Sequence, residues 1–499
     1  MGTSCSHGGE ALLSGRRKYV GDFLIVGLAE AMFSLRAVVL IPVITRLLGK
    51  EAYGVWSMVI VTSMFLSPLL AARLPALMTR FFSGQKDDRA ISQGFAGAML
   101  VPLAVGVLLL AALWPLQGPA SSLVFGDRQY ASYVLPMAAY CIGQSLFTTI
   151  MSYFLVVGRQ RSYAPMNLLW GLGEMALVAL LATRLSLTTI ITLLAGWQVM
   201  LALVVCAYVL ARHGLAKPRL PGTREFWLFG GWLILSHAMF FWAGFGSRYI
   251  LAAFGGVQTV AVFTVAYSVT QLVSLVTSPN VTALLPSISA HWNNRQPQQA
   301  QPLVSLAYKL VFLLGLPIVA GLYVYGNTLI EVLSPRGFTV PAWVLAMLAL
   351  APLSYGIFHI AAYAMWMEKK LHMAMVVQGI GVVVNVGLCT LLIGPLGIAG
   401  AVIGVVSAML IMTAWMYRLS VGVFGIGIDW RHALRCLICA SVMLGVLEAY
   451  ALLPLPKWGS LLSGCALGAG VYLLAGILSG ALPMYYVRQA LAGLKRRLA

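Results

Sequence analysis

Four arginines stand where a hydrophobic chain should carry no charge. Arg36 follows the apolar run 23–33 and precedes the apolar run 37–44, and Arg248 lies in a comparable run further on. Arg73 and Arg80 are seven residues apart, a spacing that places two side chains on one face of a helix. A charge inside a bilayer costs at least about 2.5–3.5 kcal/mol, so it should face a wet cavity or a partner. The planar fork of arginine matches the oxygens of a phosphate. One reading of Arg36, Arg248, Arg80 and Arg73 is therefore a site for a polyanion such as a diphosphate. The other is a set of structural ion pairs with Glu30, Glu174 or Asp22. Asp22 is fourteen residues from Arg36, roughly 21 Å along a helix, too far for a direct pair.

Few other polar groups in the apolar runs could carry a proton or bind an ion. Glu30 and Glu174 are the carboxylates well inside the first half, as proton or counter-ion carriers or as fixed partners of the arginines. His237 stands eleven residues before Arg248, hence on the same helical face, and His359 lies in a later run. Each is a packing histidine or a proton relay. Asn385 is an ion ligand or interhelical glue. Cys436 and Cys439 form a CxxC with no second pair nearby, which reads as small apolar packing and not as a metal site. No GxxxxGK[ST], HExxH or GxSxG pattern occurs, so neither cofactor, metal nor enzymatic activity is expected.

The elements that must carry these residues are apolar spans. The chain has 499 residues, 61% hydrophobic and only 9% charged, with a mean hydropathy of +0.91. Each bilayer crossing needs about 20 apolar residues, and without water its backbone must be helical. Fourteen such stretches fall near 22–45, 53–79, 91–115, 131–157, 163–183, 187–211, 226–254, 258–286, 303–326, 340–366, 372–394, 397–418, 434–454 and 459–483. The expected fold is an all-α polytopic membrane protein.

With the N-terminus inside, three quarters of the 32 Lys and Arg fall on the cytoplasmic side, as the positive-inside bias requires. Both termini are thus expected in the cytoplasm. The net charge of +19 follows from that bias and does not signal nucleic acid. The opening Met-Gly-Thr-Ser-Cys-Ser fits a myristoylation pattern, but a polytopic chain gains little from a lipid. No cleavable signal peptide is evident.

The chain also repeats. Residues 48–56 after span 1 echo 254–263 after span 7, and Val157-Gly158-Arg159-Gln160-Arg161 echoes Met367-Glu368-Lys369-Lys370. Spans 1–6 and 7–12 read as two parallel copies with spans 13 and 14 appended. The boundaries are 1–213 for an N-lobe, 214–225 for a cytoplasmic linker, 226–419 for a C-lobe and 420–499 for the last two helices and a basic tail. Transporters commonly seat substrate between such halves.

Residues 40–56, Leu-Ile-Pro-Val-Ile-Thr-Arg-Leu-Leu-Gly-Lys-Glu-Ala-Tyr-Gly-Val-Trp, resemble the opening of the bacterial polysaccharide-export (Wzx-like) flippases. So do residues 74–82, and Asn385 followed by residues 392–401. These flippases share a superfamily with multidrug extruders and the peptidoglycan-precursor flippase. Within the branch the chain is most similar to the xanthan-type exopolysaccharide flippases. The resemblance implies two six-helix lobes plus two helices around a V-shaped central cavity. It implies alternating access that moves an undecaprenyl-diphosphate-linked oligosaccharide from the inner to the outer leaflet of the cytoplasmic membrane. Cationic cavity residues map by position to Arg36, Arg80 and Arg248. Expected partners are the lipid-linked oligosaccharide, the membrane, and a polymerase with other polysaccharide-assembly proteins. The acidic pair that some relatives use for a cation in helices 7 and 11 is absent, so sodium coupling is not expected. The competing reading is a cation-coupled multidrug antiporter of the same superfamily. Cationic drugs need buried carboxylates, however, and the mid-membrane charge here leans positive.

Overall fold

A computed structural model of the chain describes residues 39–82, 87–157, 159–214, 217–220, 222–293, 297–454 and 456–482. Among the described residues there is no strand. Residues 39–47 are helical, and the rest of span 1 lies outside the described residues. The helices that follow are α1 (Gly49–Leu70), α2 (Leu74–Phe82), α3 (Asp88–Leu113), the short α4 (Gln117–Phe125), α5 (Val134–Val156), α6 (Gln160–Leu181), α7 (Leu187–His213) and α8 (Arg224–Phe245). Then come α9 (Ser247–Thr270), α10 (Leu272–Asn293), α11 (Gln301–Leu333), α12 (Ala342–Met367), α13 (Leu371–Leu396), α14 (Ile398–Phe424), α15 (Trp430–Ala451) and α16 (Lys457–Leu478). Among the described residues, thirteen helices are long and apolar enough to cross a membrane. Twenty-two residues, the length of α1, give about 33 Å of helix, enough for a hydrocarbon core of about 30 Å.

The helices bury different shares of themselves. Arg128–Val156 and Ala342–Met367 are 72% buried, whereas Asp88–Leu113 and Lys457–Leu478 are 22% buried. The outer helices expose leucines such as Leu108, Leu180 and Leu478. So much apolar surface would aggregate in water, so lipid tails must cover it. Trp114, Trp430 and Trp458 stand exposed at helix ends, where indoles sit at the membrane–water boundary.

Span 2 departs from the expected single helix over 53–79. It is two helices, α1 and α2, separated by residues 71–73. The Arg73 N–H donates to the Pro68 carbonyl at 2.9 Å and the Ala72 N–H to the Leu69 carbonyl at 2.8 Å, which winds the end of α1 back on itself. Ala72 and Arg73 both take left-handed conformations, φ 45° and 56°, which cost a non-glycine residue on the order of 1–3 kcal/mol. Pro75, at the second position of α2, has no N–H to lose there. Gly49 (φ 90°) and Gly256 (φ 69°) supply two further turns that residues with a Cβ would resist. The latter falls inside α9 and divides it.

The chain forms two compact units, one of Met1–Ala238 with Gly256–Gln258, the other of Met239–Gly255 with Thr259–Ala499. In the first, Asp88 Oδ1 meets His213 Nδ1 at 2.6 Å and His213 Nε2 meets the Tyr153 hydroxyl at 2.7 Å, tying α3, α5 and α7. In the second, Lys457 pairs with Glu331 at 2.7 Å and joins the start of α16 to the end of α11. One turn recurs in both. The Arg159 N–H donates to the Phe154 carbonyl at 2.7 Å, and the Lys370 N–H to the Met365 carbonyl at 2.9 Å. In each unit this turn follows the span that is 72% buried.

Candidate functional site

The break in span 2 positions a cationic cluster in the first unit. Arg73 occupies the break itself, so Arg73 and Arg80 do not share one uninterrupted helix as their spacing predicts. Arg80 lies in the last turn of α2. The Nε atom of Arg73 is buried and makes no hydrogen bond among the described residues. Its titratable neighbour is His237 of α8, whose ring stacks on Phe65 at 6.4 Å and 17°. Arg80 is exposed. Its guanidinium lies 3.8 Å from the centre of the Phe229 ring and 5.5 Å from that of Phe81, while Phe81 packs on Phe226 at 5.3 Å. Among the described residues, no carboxylate lies within ion-pair distance of either arginine. The rings hold Arg80 in place without neutralising its charge.

Arg248 is held differently, in the second unit. It is 2% exposed. Its guanidinium lies 4.3 Å from the ring centre of Tyr267, 5.0 Å from Phe245 and 5.1 Å from Phe263, and it donates a hydrogen bond to the Tyr267 hydroxyl oxygen. Phe245 stands three residues before it, at the end of α8, and the other two rings come from the second half of α9. In this conformation Arg248 clamps aromatic side chains and offers no surface to a ligand.

Glu174 is fully buried in the first unit. Its Oε1 accepts from the Tyr140 hydroxyl at 2.9 Å, from Trp170 Nε1 at 3.2 Å and from Gln198 Nε2 at 2.8 Å. These neutral donors come from α5, α6 and α7, so the carboxylate ties three helices together. Asn385, fully buried in the second unit, donates from Nδ2 to the Trp242 carbonyl at 2.9 Å and accepts from the Cys389 thiol at 3.1 Å. Both ends of its amide are engaged, as in interhelical glue. Arg36 and Glu30 lie outside the described residues. Among the described residues no cluster of His, Cys, Asp and Glu could hold a metal ion.

Of the residues singled out by the sequence, Arg73, Arg80 and His237 thus fall in one unit on α2, the break before it, and α8. Sequence reasoning missed the aromatic partners Phe65, Phe81 and Phe229. It also missed the break, although Pro75 beside Arg73 carried a signal for it.

The family model described as polysaccharide biosynthesis protein matches residues 21–292. No curated protein matches the sequence. Among solved structures the chain is similar to the lipid II flippase MurJ in an inward closed conformation, with a TM-score of 0.69 at 13% identity, over 91% of this chain and 98% of that one. It is similar also to a MATE-family multidrug transporter of the MOP superfamily in an inward-facing conformation (TM-score 0.63, 15% identity, 83% of this chain and 96% of that one). A third is the MATE multidrug transporter DinF-BH (TM-score 0.57, 18% identity, 81% of this chain and 94% of that one). At these identities the likeness is one of fold.

Proposed function

Because the chain belongs to the family of polysaccharide biosynthesis proteins and is a multi-pass helical membrane protein, we propose that it is a flippase. Its cargo is an undecaprenyl-diphosphate-linked oligosaccharide, moved from the inner to the outer leaflet of the bacterial cytoplasmic membrane by alternating access. The polymer is an exopolysaccharide or O-antigen, and both termini are cytoplasmic. The lobes are two six-helix repeats, 1–213 and 226–419, with 420–499 adding the last two helices. The observation that carries this reading is the pair Arg73 and Arg80 at the interrupted span 2, cations with no carboxylate partner among the described residues.

The chemistry follows from charge. A diphosphate brings several negative oxygens into a low-dielectric region and needs paired donors there. Arg73 and Arg80 supply them, and Arg36 joins them by its position in span 1. Arg248 holds span 7 together through its aromatic clamp. His237 stands beside Arg73 and is the coupling candidate nearest the anion. Glu174 and Asn385 act as fixed ties between helices. A polymerase that consumes the translocated unit is the expected functional partner. The antiporter reading would need a carboxylate open to a cationic drug, and Glu174 has three neutral donors on one oxygen.

The test is transport by the purified full-length chain in proteoliposomes, with a lipid-linked oligosaccharide extracted from a strain lacking this protein. The reading expects the oligosaccharide to become accessible on the far leaflet, at a rate lowered at least tenfold by Arg80→Ala at unchanged protein level. Efflux of cationic dyes with no movement of the lipid would replace the reading with the antiporter.

A further inference from the structure

A second site lies in the Thr259–Ala499 part of the molecule, where no charged residue takes part. A cavity of about 220 Å³ opens between α10 and α12, lined by Thr277, Ser278, Tyr355, Gly356, His359 and Tyr363. Tyr355 and Gly356 stand at the middle of α12, which runs from Ala342 to Met367. At Gly356 the two helices approach so closely that an added Cβ would lie 3.2 Å from Thr277. The absent side chain leaves the hydroxyls of α10 facing the aromatic rings of α12. Pro279, inside α10, can donate no hydrogen bond to the carbonyl four residues back, which loosens the backbone beside Thr277 and Ser278.

The lining selects the ligand. His359 Nε2 is buried and makes no hydrogen bond among the described residues. Tyr363 donates its hydroxyl proton to the Val281 carbonyl at 3.0 Å and Thr277 donates to the Val273 carbonyl at 3.2 Å, so both oxygens keep lone pairs to accept with. The ring of Tyr355 lies 4.2 Å from that of His359 at 60° and 5.7 Å from that of Phe240 at 57°, so the single ring of Tyr355, braced by its neighbours, offers the cavity an aromatic wall. A purely apolar ligand would leave the imidazole nitrogen of His359 unsatisfied, at about 1–3 kcal/mol. An anion finds no cation in the lining, and an imidazolium finds no carboxylate, although a membrane charge needs a partner. A neutral ring carrying hydroxyls meets every condition. Each sugar hydroxyl both donates and accepts, and the C–H face of a pyranose lies flat on aromatic rings. The volume of about 220 Å³ has room for one ring.

We propose that the cavity between α10 and α12 is a subsite for one uncharged hexopyranose of the glycan, with Tyr355 as its aromatic wall and His359 as its hydrogen-bonding group. The subsite rests on the flippase reading, whose cargo it specifies.

The experiment is saturation-transfer NMR on the full chain in lipid nanodiscs, with glucose, mannose, galactose and glucuronic acid as separate probes. At least one neutral hexose should receive saturation at three times or more the level of glucuronic acid. Tyr355→Leu and His359→Leu should each lower that signal at least threefold, whereas Arg80→Ala should leave it unchanged. Ser278→Ala, a smaller change, should lower it with no loss of folded protein. No transfer to any neutral hexose, equal transfer to glucuronic acid, or transfer that survives both leucine variants would overturn the subsite. Loss of undecaprenyl diphosphate binding with hexose binding intact would count against the flippase reading alone.

Discussion

Arg248 and the pair Arg73 and Arg80 are the same residue type inside the same kind of apolar span, and the molecule treats them in opposite ways. Arg248 is 2% exposed and sits within about 5 Å of three ring centres. Arg80 is exposed with one ring at 3.8 Å, and Arg73 sits on a left-handed residue at a helix break. The first arrangement uses the cation as packing, since a guanidinium stacks on rings and its stem fills space. The second leaves the cations without a carboxylate partner among the described residues. A charged residue in a membrane span is thus a functional signal only when its surroundings leave it something to bind.

Substitutions at three places separate these uses. The double variant Arg73→Ala/Arg80→Ala should have the largest effect, at least about a hundredfold on transport, since each charged hydrogen bond contributes about 1.5–3 kcal/mol. Its thermal unfolding should match the parent, because neither side chain is fully enclosed. Arg248→Ala should do the reverse. Emptying the aromatic clamp should cost about 3 kcal/mol of stability, read as a lower unfolding temperature, and Arg248→Lys should recover only part of it because a compact ammonium does not stack as a planar group does. Full stability of Arg248→Ala with lost transport would move Arg248 to the binding side of the comparison. Next, Glu174→Leu should cost about 2 kcal/mol by leaving the Tyr140, Trp170 and Gln198 donors without their acceptor. Glu174→Gln should keep both fold and transport, and transport lost from a stable Glu174→Gln protein would make Glu174 a coupling group.

Much of this was legible from the order of residues. Hydropathy alone placed the spans, because a bilayer demands long apolar runs, and most helices fall within a few residues of them. Span 2 was the sharpest exception. Its run carries no charge from Tyr53 to Leu77 apart from Arg73, and a hydropathy window cannot see two left-handed residues inside it. Pro75 was the local clue. Arg248 shows a different limit. Phe245 is three residues away in sequence, at the end of α8, and was readable, but Phe263 and Tyr267 lie beyond the Gly256 turn and meet the guanidinium only in the fold. The same holds for Glu174, where Trp170 is four residues distant while Tyr140 and Gln198 arrive from other helices.

The smallest effects lie where charges are compensated outright. Asn385→Leu should cost about 1 kcal/mol through two lost hydrogen bonds and leave any ion dependence of transport unchanged. At the surface, the Lys309 ammonium 3.0 Å from Asp429, together with the His432 backbone N–H, holds the Asp429 carboxyl below its ordinary range. Because that value is lowered on folding, the stability it contributes is present above the ordinary carboxylate range. It is lost as pH falls through the lowered folded value. Comparing thermal unfolding near pH 7 and near pH 3 should show a slightly smaller acid loss in Asp429→Asn than in the parent.

The most direct test of the central claim is equilibrium binding of undecaprenyl diphosphate, without any sugar, to the full-length chain in nanodiscs. The account predicts binding that Arg73→Ala/Arg80→Ala weakens at least tenfold, with unfolding temperature unchanged. Binding of equal strength in the double variant would contradict it, because the diphosphate would then be held by other groups.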